Sequence, residues 1–199
     1  FGEIDGKTDL MATALQEGSK GAKFSSITFN HLLTQFSIKV YAPDAAAQGL
    51  WGTVSSIKIA EKKQTCTITL PAATEAANTA AAPAFTGNSD LDLVRTNLTT
   101  SPVSAITYPL TLGVGTATNA VQAGYAMFAP QATGNVVLKI ELSVGGSQTV
   151  NVPVPTTPTT GFLHGSAYEI TLKFSSSAIT PTVSVVDWIP VTNTPEVEI

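Results

Sequence analysis

Residues 136–154 read VVLKIELSVGGSQTVNVPV, and their alternation decides the fold. Val136, Leu138, Ile140, Leu142 and Val144 fall on one side of an extended chain, opposite Val137, Lys139, Glu141 and Ser143. A period of two sends alternate side chains to opposite faces of a sheet, so this strand has one core face. Gly145-Gly146 then supplies residues that tolerate positive φ, as a two-residue hairpin turn requires. The return strand puts Val150, Val152 and Val154 on the same apolar face.

The same period recurs on either side of this hairpin. At 167–174, Tyr168, Ile170, Leu172 and Phe174 alternate with Ala167, Glu169, Thr171 and Lys173. At 65–70, Cys66, Ile68 and Leu70 alternate with Thr65, Thr67 and Thr69. Further strands are expected at 27–29, 34–41, 53–60, 105–112, 123–129 and 182–188. Helical signals are few. Asp44 can cap a short turn through Ala45–Ala47 that Gly49 ends. The Ala-rich stretch from Thr74 to Ala82 stops at Pro83 and reads as a loop in preference to a short helix. PVPTTPTT at 153–160 reads as an extended connection, because proline cannot donate in a central strand. Many short strands separated by turn chemistry predict an all-β sandwich or barrel with few or no helices.

Composition agrees. Only 12% of the 199 residues are charged, against about 25% in a typical soluble domain. Threonine occurs 29 times, more than the 10 basic and 14 acidic residues together. Threonine favours strands, so the outer faces are expected to be rich in hydroxyls instead of charges. A chain of this length buries about 70% of its extended surface and needs no covalent staples. The single cysteine, Cys66, excludes an intrachain disulfide framework. The net charge of -4 and the absence of a basic cluster argue against nucleic-acid binding. No apolar run reaches the roughly 18 residues of a membrane span. The chain opens on Phe1 and shows no secretory signal, so it is expected to be a processed or trimmed product.

Candidate chemistry is sparse. The two histidines, His31 and His164, fall in an apolar strand run and at a strand entrance, and both favour structural or surface roles. The alternation of Cys66 marks it as a core residue. Asn88, Asp90 and Asp92 have the period-two oxygens of a calcium loop, but position twelve is Thr99 and the loop glycine is missing. A polar turn leading into Leu91 and Leu93 fits them better. Gly113-Val114-Gly115 lacks the third glycine of a phosphate cradle. Asn97-Leu98-Thr99 is a lone sequon. Glu61, Glu75, Glu141 and Glu169 all fall on expected outer faces or loops, so no acid–base pair can be named. No catalytic, cofactor or metal residue is therefore assigned. Trp51, near Tyr41, is a weak candidate contact for a glycan. Packing is the simpler role for both tryptophans, Trp51 and Trp188.

Five stretches in order carry a family resemblance: DLMATA at 9–14, ITFNHLLTQFSIKV at 27–40, GYAMFAPQ at 124–131, GSAYEITL at 165–172 and VSVVDWIPV at 183–191. Together they resemble the fimbrillin family, the type V pilins and fimbrillin-like surface proteins of Gram-negative anaerobes. Each motif alone is a strand pattern; the order and spacing carry the resemblance. It implies a transthyretin-like antiparallel β-sandwich of the Greek-key type, normally two such domains in tandem. Here residues 1–24 would be a remnant of a preceding domain or a leading strand, and 25–199 the sandwich. The lipidated cysteine of the family's precursors is not in this stretch, and a cut after a basic residue before Phe1 would fit the family's maturation.

The resemblance further implies a structural or accessory subunit of a fimbrium, without catalysis, extracellular at the cell surface and associated with the outer membrane. Its partners would be other fimbrial subunits and host or bacterial surface ligands. Physics supplies a mechanism beside it. An unpaired sheet edge can accept a strand from another chain, and the segment 182–199 is the candidate donor. Val183, Val185, Trp188, Val191, Val197 and Ile199 form its apolar series, and Pro190 and Pro195 keep it from folding back as a central strand. The other reading makes 182–188 the last strand of its own sandwich and 189–199 a frayed end. The rival function is a glycan- or matrix-binding β-sandwich module at the cell surface.

Overall fold

The computed structural model describes residues 3–22, 27–72, 75, 80–97, 104–156 and 160–188. In chain order the elements are β1 (Met11–Ala12), β2 (Asn30–His31), β3 (Thr34–Ala42), α1 (Ala45–Trp51), β4 (Thr53–Thr69) and β5 (Ala82–Asp92). There follow β6 (Thr96–Asn97), β7 (Ser104–Ala105), β8 (Leu110–Thr111), β9 (Gly113–Val114), a 3-10 turn at Ala117–Asn119 and β10 (Val121–Phe128). The last four are β11 (Asn135–Leu142), β12 (Ser147–Pro153), β13 (Ala167–Phe174) and β14 (Ile179–Val186).

Two sheets carry the molecule. One has the order β10-β3-β13-β14, with β9 beside β3; the other has the order β12-β11-β4-β5, with β8 beside β4. The hairpins β4–β5, β11–β12 and β13–β14 stay within a sheet, and the other long connections cross between sheets. That is the transthyretin-like Greek-key sandwich. One feature corrects the antiparallel expectation: β3 and β13 pair in parallel, with Phe36 beside Tyr168, Ile38 beside Ile170 and Val40 beside Leu172. Alternation tells which face of a strand is buried, but not which way its neighbour runs. The parallel pair needs a long crossover, and the whole opposite sheet lies in the sequence between its two strands.

The core is the seam between the sheets. From one side come Phe36, Ile38, Val40, Tyr168, Ile170, Leu172 and Phe174; from the other come Val54, Ile57, Ile59, Val136, Leu138, Ile140, Val150 and Val152, all buried. Phe36 is its centre, edge-on to Phe128 and to Phe162 at 4.7 Å each. Edge-to-face packing adds roughly 0.5–1.5 kcal/mol per pair beyond burial.

Several local expectations change. Glu141 pairs with Ser147, so the hairpin loop is longer than two residues. Val144 sits in that loop, half exposed, instead of continuing the core face. Gly145 and Gly146 do adopt positive φ, 80 and 64°. The strands expected at 53–60 and 65–70 are one strand, β4, which bends at Glu61 (φ 58°) where its register with β5 shifts. Cys66 is buried, but Leu70 lies past the strand end and is exposed. The stretch 88–92 is no turn: it belongs to β5, which β4 pairs along most of its length. Helix α1 runs through Gly49 and stops at Gly52 (φ 69°), where a Cβ would fall 2.3 Å from Ser143 Oγ. Asp44 caps it, accepting from Ala47 N at 2.8 Å. No strand forms at the expected 27–29, where the two-residue β2 begins only at Asn30, and 105–112 yields only β8 and parts of β7. Residues 157–159 of the expected extended connection lie outside the described residues.

Two predictions follow from this packing. Phe36→Ala removes the ring at the centre of the seam and should destabilise the fold by about 3–5 kcal/mol, lowering the urea midpoint by about 1–2 M; an unchanged midpoint would contradict the seam. Tyr108 donates to Ala123 O at 2.8 Å and lies under Arg95. Burial pushes its phenol up to about 12, against the opposing pull of the Arg95 charge. The unfolded phenol ionises near 10, so stability should be lost as pH rises from about 10 to about 12. Tyr108→Phe should remove that part of the loss in alkaline denaturation curves.

Candidate functional site

At the margins of a sheet, backbone N–H and C=O groups lack partners and are open to another chain. The β10 margin is covered. Val94 and Tyr125 exchange two backbone hydrogen bonds, at 2.7 and 3.1 Å, and Met127 N donates to Gly6 O at 3.0 Å. Gly124 makes this cover possible. It sits at the β10 bulge, and a Cβ there would come within 2.8 Å of Leu93 Cβ. The residues before β1 also tie onto β4: Ile4 N donates to Gln64 O, Glu3 pairs with Lys63, and Ile4 and Leu10 are buried in the core.

The opposite margins are different. Among the described residues, no strand pairs with the outer edge of β14 or of β12. The two edges approach each other across the open side of the sandwich. β14 is held inward by eight residue pairs with β13, from Ala167–Val186 to Phe174–Ile179. Ile179 and Val183 pack on the core. Pro181 removes one backbone donor, a substitution tolerated only on an edge strand. Val185 lies opposite the buried Tyr168, yet it is 59% exposed. The apolar face of β14 therefore outruns its cover at that end.

Just past β14, Trp188 stacks on His31 with ring centroids 4.1 Å apart and planes 25° apart. His31 Nδ1 lies 2.7 Å from Asp9 Oδ2. The antiparallel ribbon β1–β2, in which Met11 pairs with His31, holds both partners in place. The exit of the chain from its last strand is thus clamped to the entrance of its first long one. No spacing in the sequence announces this trio, because residues 9, 31 and 188 meet only through the tertiary fold.

The other singled-out residues have ordinary surroundings. Trp51 ends α1, donates its indole N–H to Ser175 O at 2.7 Å and lies edge-on to Phe174. Tyr41 sits in β3 in register with Lys173 and Gly113. Asp90 takes two hydrogen bonds from Lys139 Nζ, at 3.0 and 2.8 Å, and Asp92 pairs with Lys58. The Lys139 bonds hold the Asp90 carboxyl below its usual range. Among the described residues, no three His, Cys, Asp or Glu side chains gather as metal ligands. None of the described helices is long and apolar enough to cross a membrane. Of the candidate polymerisation residues, Val183, Val185 and Trp188 are brought together at the β14 end. Val191, Val197 and Ile199 lie outside the described residues.

Comparison with known proteins adds to this geometry. A family model described as fimbrillin-like matches residues 5–188. No curated protein matches the sequence. Among solved structures, a proposed cell adhesion protein from Bacteroides uniformis shares 18% identity, with TM-score 0.54 over 94% of this chain and 65% of that one. The chain thus spans about 65% of the length of that relative. The tip fimbrial protein Mfa3 from Porphyromonas gingivalis, with a C-terminal truncation, covers 87% of this chain and 60% of its own at 9% identity and TM-score 0.43.

The Trp188 clamp can be tested by fluorescence. In a Trp51→Phe background, His31→Ala should shift Trp188 emission to longer wavelength and lower stability by about 1 kcal/mol. Unchanged emission would show that the stack does not persist in solution.

Proposed function

The chain belongs to the fimbrillin-like family, and from that premise we propose that it is a subunit of a bacterial cell-surface fimbrium that joins its neighbours by β-strand exchange and supports cell adhesion. The observation that carries this reading is that, among the described residues, no strand pairs with the outer edge of β14, while the sequence after Trp188 continues with spaced apolar residues. An edge strand offers unpaired N–H and C=O groups to an incoming strand. Backbone hydrogen bonds then supply affinity, and alternate side chains supply register. Val185, exposed on the inward-facing side of β14, marks where an incoming apolar side chain would find cover.

The six candidate residues divide into two roles on this reading. β14 is fully paired with β13, so Val183 and Val185 form part of the receiving edge and Trp188 fixes where the donor leaves its subunit. Val191, Val197 and Ile199 are the side chains donated to the neighbour. The surface given up and the surface received are different, so the contact is head-to-tail and propagates as a filament instead of closing into a dimer. The function requires no catalytic group. Anchorage at the outer membrane through a lipidated precursor, and binding of host or bacterial surface ligands, belong to the same proposal.

Deleting residues 191–199 should leave a folded monomer, with an unchanged urea midpoint, that no longer forms filaments under electron microscopy. A truncated chain that still polymerises would overturn the strand-exchange mechanism.

A further inference from the structure

The β1–β2 ribbon has an outward face that its register defines. Met11 lies directly opposite His31, so the two share one side, and Phe29 lies just before β2. Met11 is 44% exposed and Phe29 57% exposed. Trp188 already lies on this face through its stack with His31. The face is therefore apolar, partly covered, and covered by the residue from which the C-terminal segment departs.

The segment itself has a matching pattern. From Trp188 the chain continues IPVTNTPEVEI, residues 189–199. In an extended conformation Ile189, Val191, Val197 and Ile199 all fall on one side, while Thr192, Thr194, Glu196 and Glu198 fall on the other. An extended residue advances about 3.3 Å, so eleven of them reach about 36 Å, well beyond the few residues of the ribbon. Pro190 and Pro195 prevent a full ladder of hydrogen bonds. Side-chain burial would therefore hold such a segment more than strand pairing would.

We propose that residues 189–199 of the same chain dock their apolar side over the Met11–Phe29 face of the β1–β2 ribbon, with the Trp188–His31 stack as the anchor. The docked segment is the parked form of the donor, a role that rests on the strand-exchange reading; the docking itself does not. In the parked form the apolar side chains are covered on their own subunit. A neighbour must displace them from the ribbon before it receives them, so the ribbon competes with the receiving edge and slows assembly in the absence of an acceptor.

Hydrogen–deuterium exchange of the full chain tests this at several protein concentrations, with a free peptide of residues 189–199 as reference. The segment in the monomer should exchange about tenfold or more slowly than the peptide, independently of concentration. The variant Met11→Ser/Phe29→Ser should return it to the peptide rate while the β13–β14 amides keep their protection, which shows that the fold is intact. Exchange at the peptide rate in the wild-type chain would overturn the proposal. So would protection that survives the double substitution, and so would protection that grows with concentration, which would place the segment on a second copy. Protection in the monomer of a chain whose 191–199 deletion still polymerises would leave the docking standing and remove only its role in assembly.

Discussion

Everything in this molecule hangs on one apolar seam between two sheets. The inward side chains of β3 and β13 run side by side, Phe36 with Tyr168, Ile38 with Ile170 and Val40 with Leu172, and face those of β4 and β11. Burial of that seam orders both sheets at once, because each strand contributes side chains that only the opposite sheet can cover. With so few charges in the chain, little else competes to set the architecture. A sandwich closed through its middle is still open at its sides, and the fold deals with its margins unequally. The β10 margin takes Val94 and Gly6 as cover, while among the described residues no strand pairs with the outer edges of β14 and β12.

The parts of this fold that were legible in the sequence are those where one strand meets one core face. β11, β12 and β13 alternate, and their even-numbered apolar residues are buried where alternation puts them. β5 was not legible. Its Thr86-Gly87-Asn88-Ser89-Asp90 run has no apolar period, and its strand character comes from pairing with β4. Glu61, Lys62, Lys63 and Gln64 suggested a break in β4, but a bulge at Glu61 absorbs them. Gly49 failed to end α1 because a helix tolerates a glycine at a cost of about 1 kcal/mol, whereas Gly52 stops it with a positive φ. The parallel direction of β3 against β13 is a property of the chain path and has no local signature.

The candidate site divides in the same way. The apolar series in β14 was visible as alternation. What alternation could not show is that Val183 and Val185 already serve the subunit's own sheet through β13. Nor could it show that Trp188 rests on a histidine held by Asp9. The clamp joins the chain just before β3 to the chain just after β14.

Intermolecular disulfide trapping tests the proposed strand exchange most directly. Val185→Cys and Val197→Cys, combined with Cys66→Ala, place one thiol on the receiving edge and one on the donated segment. Neighbouring strands bring Cα atoms within the roughly 4.4–6.8 Å that a disulfide spans. Strand exchange should give a ladder of covalent oligomers after mild oxidation of assembled material, absent when either cysteine is present alone. Filaments that yield no such ladder would contradict it.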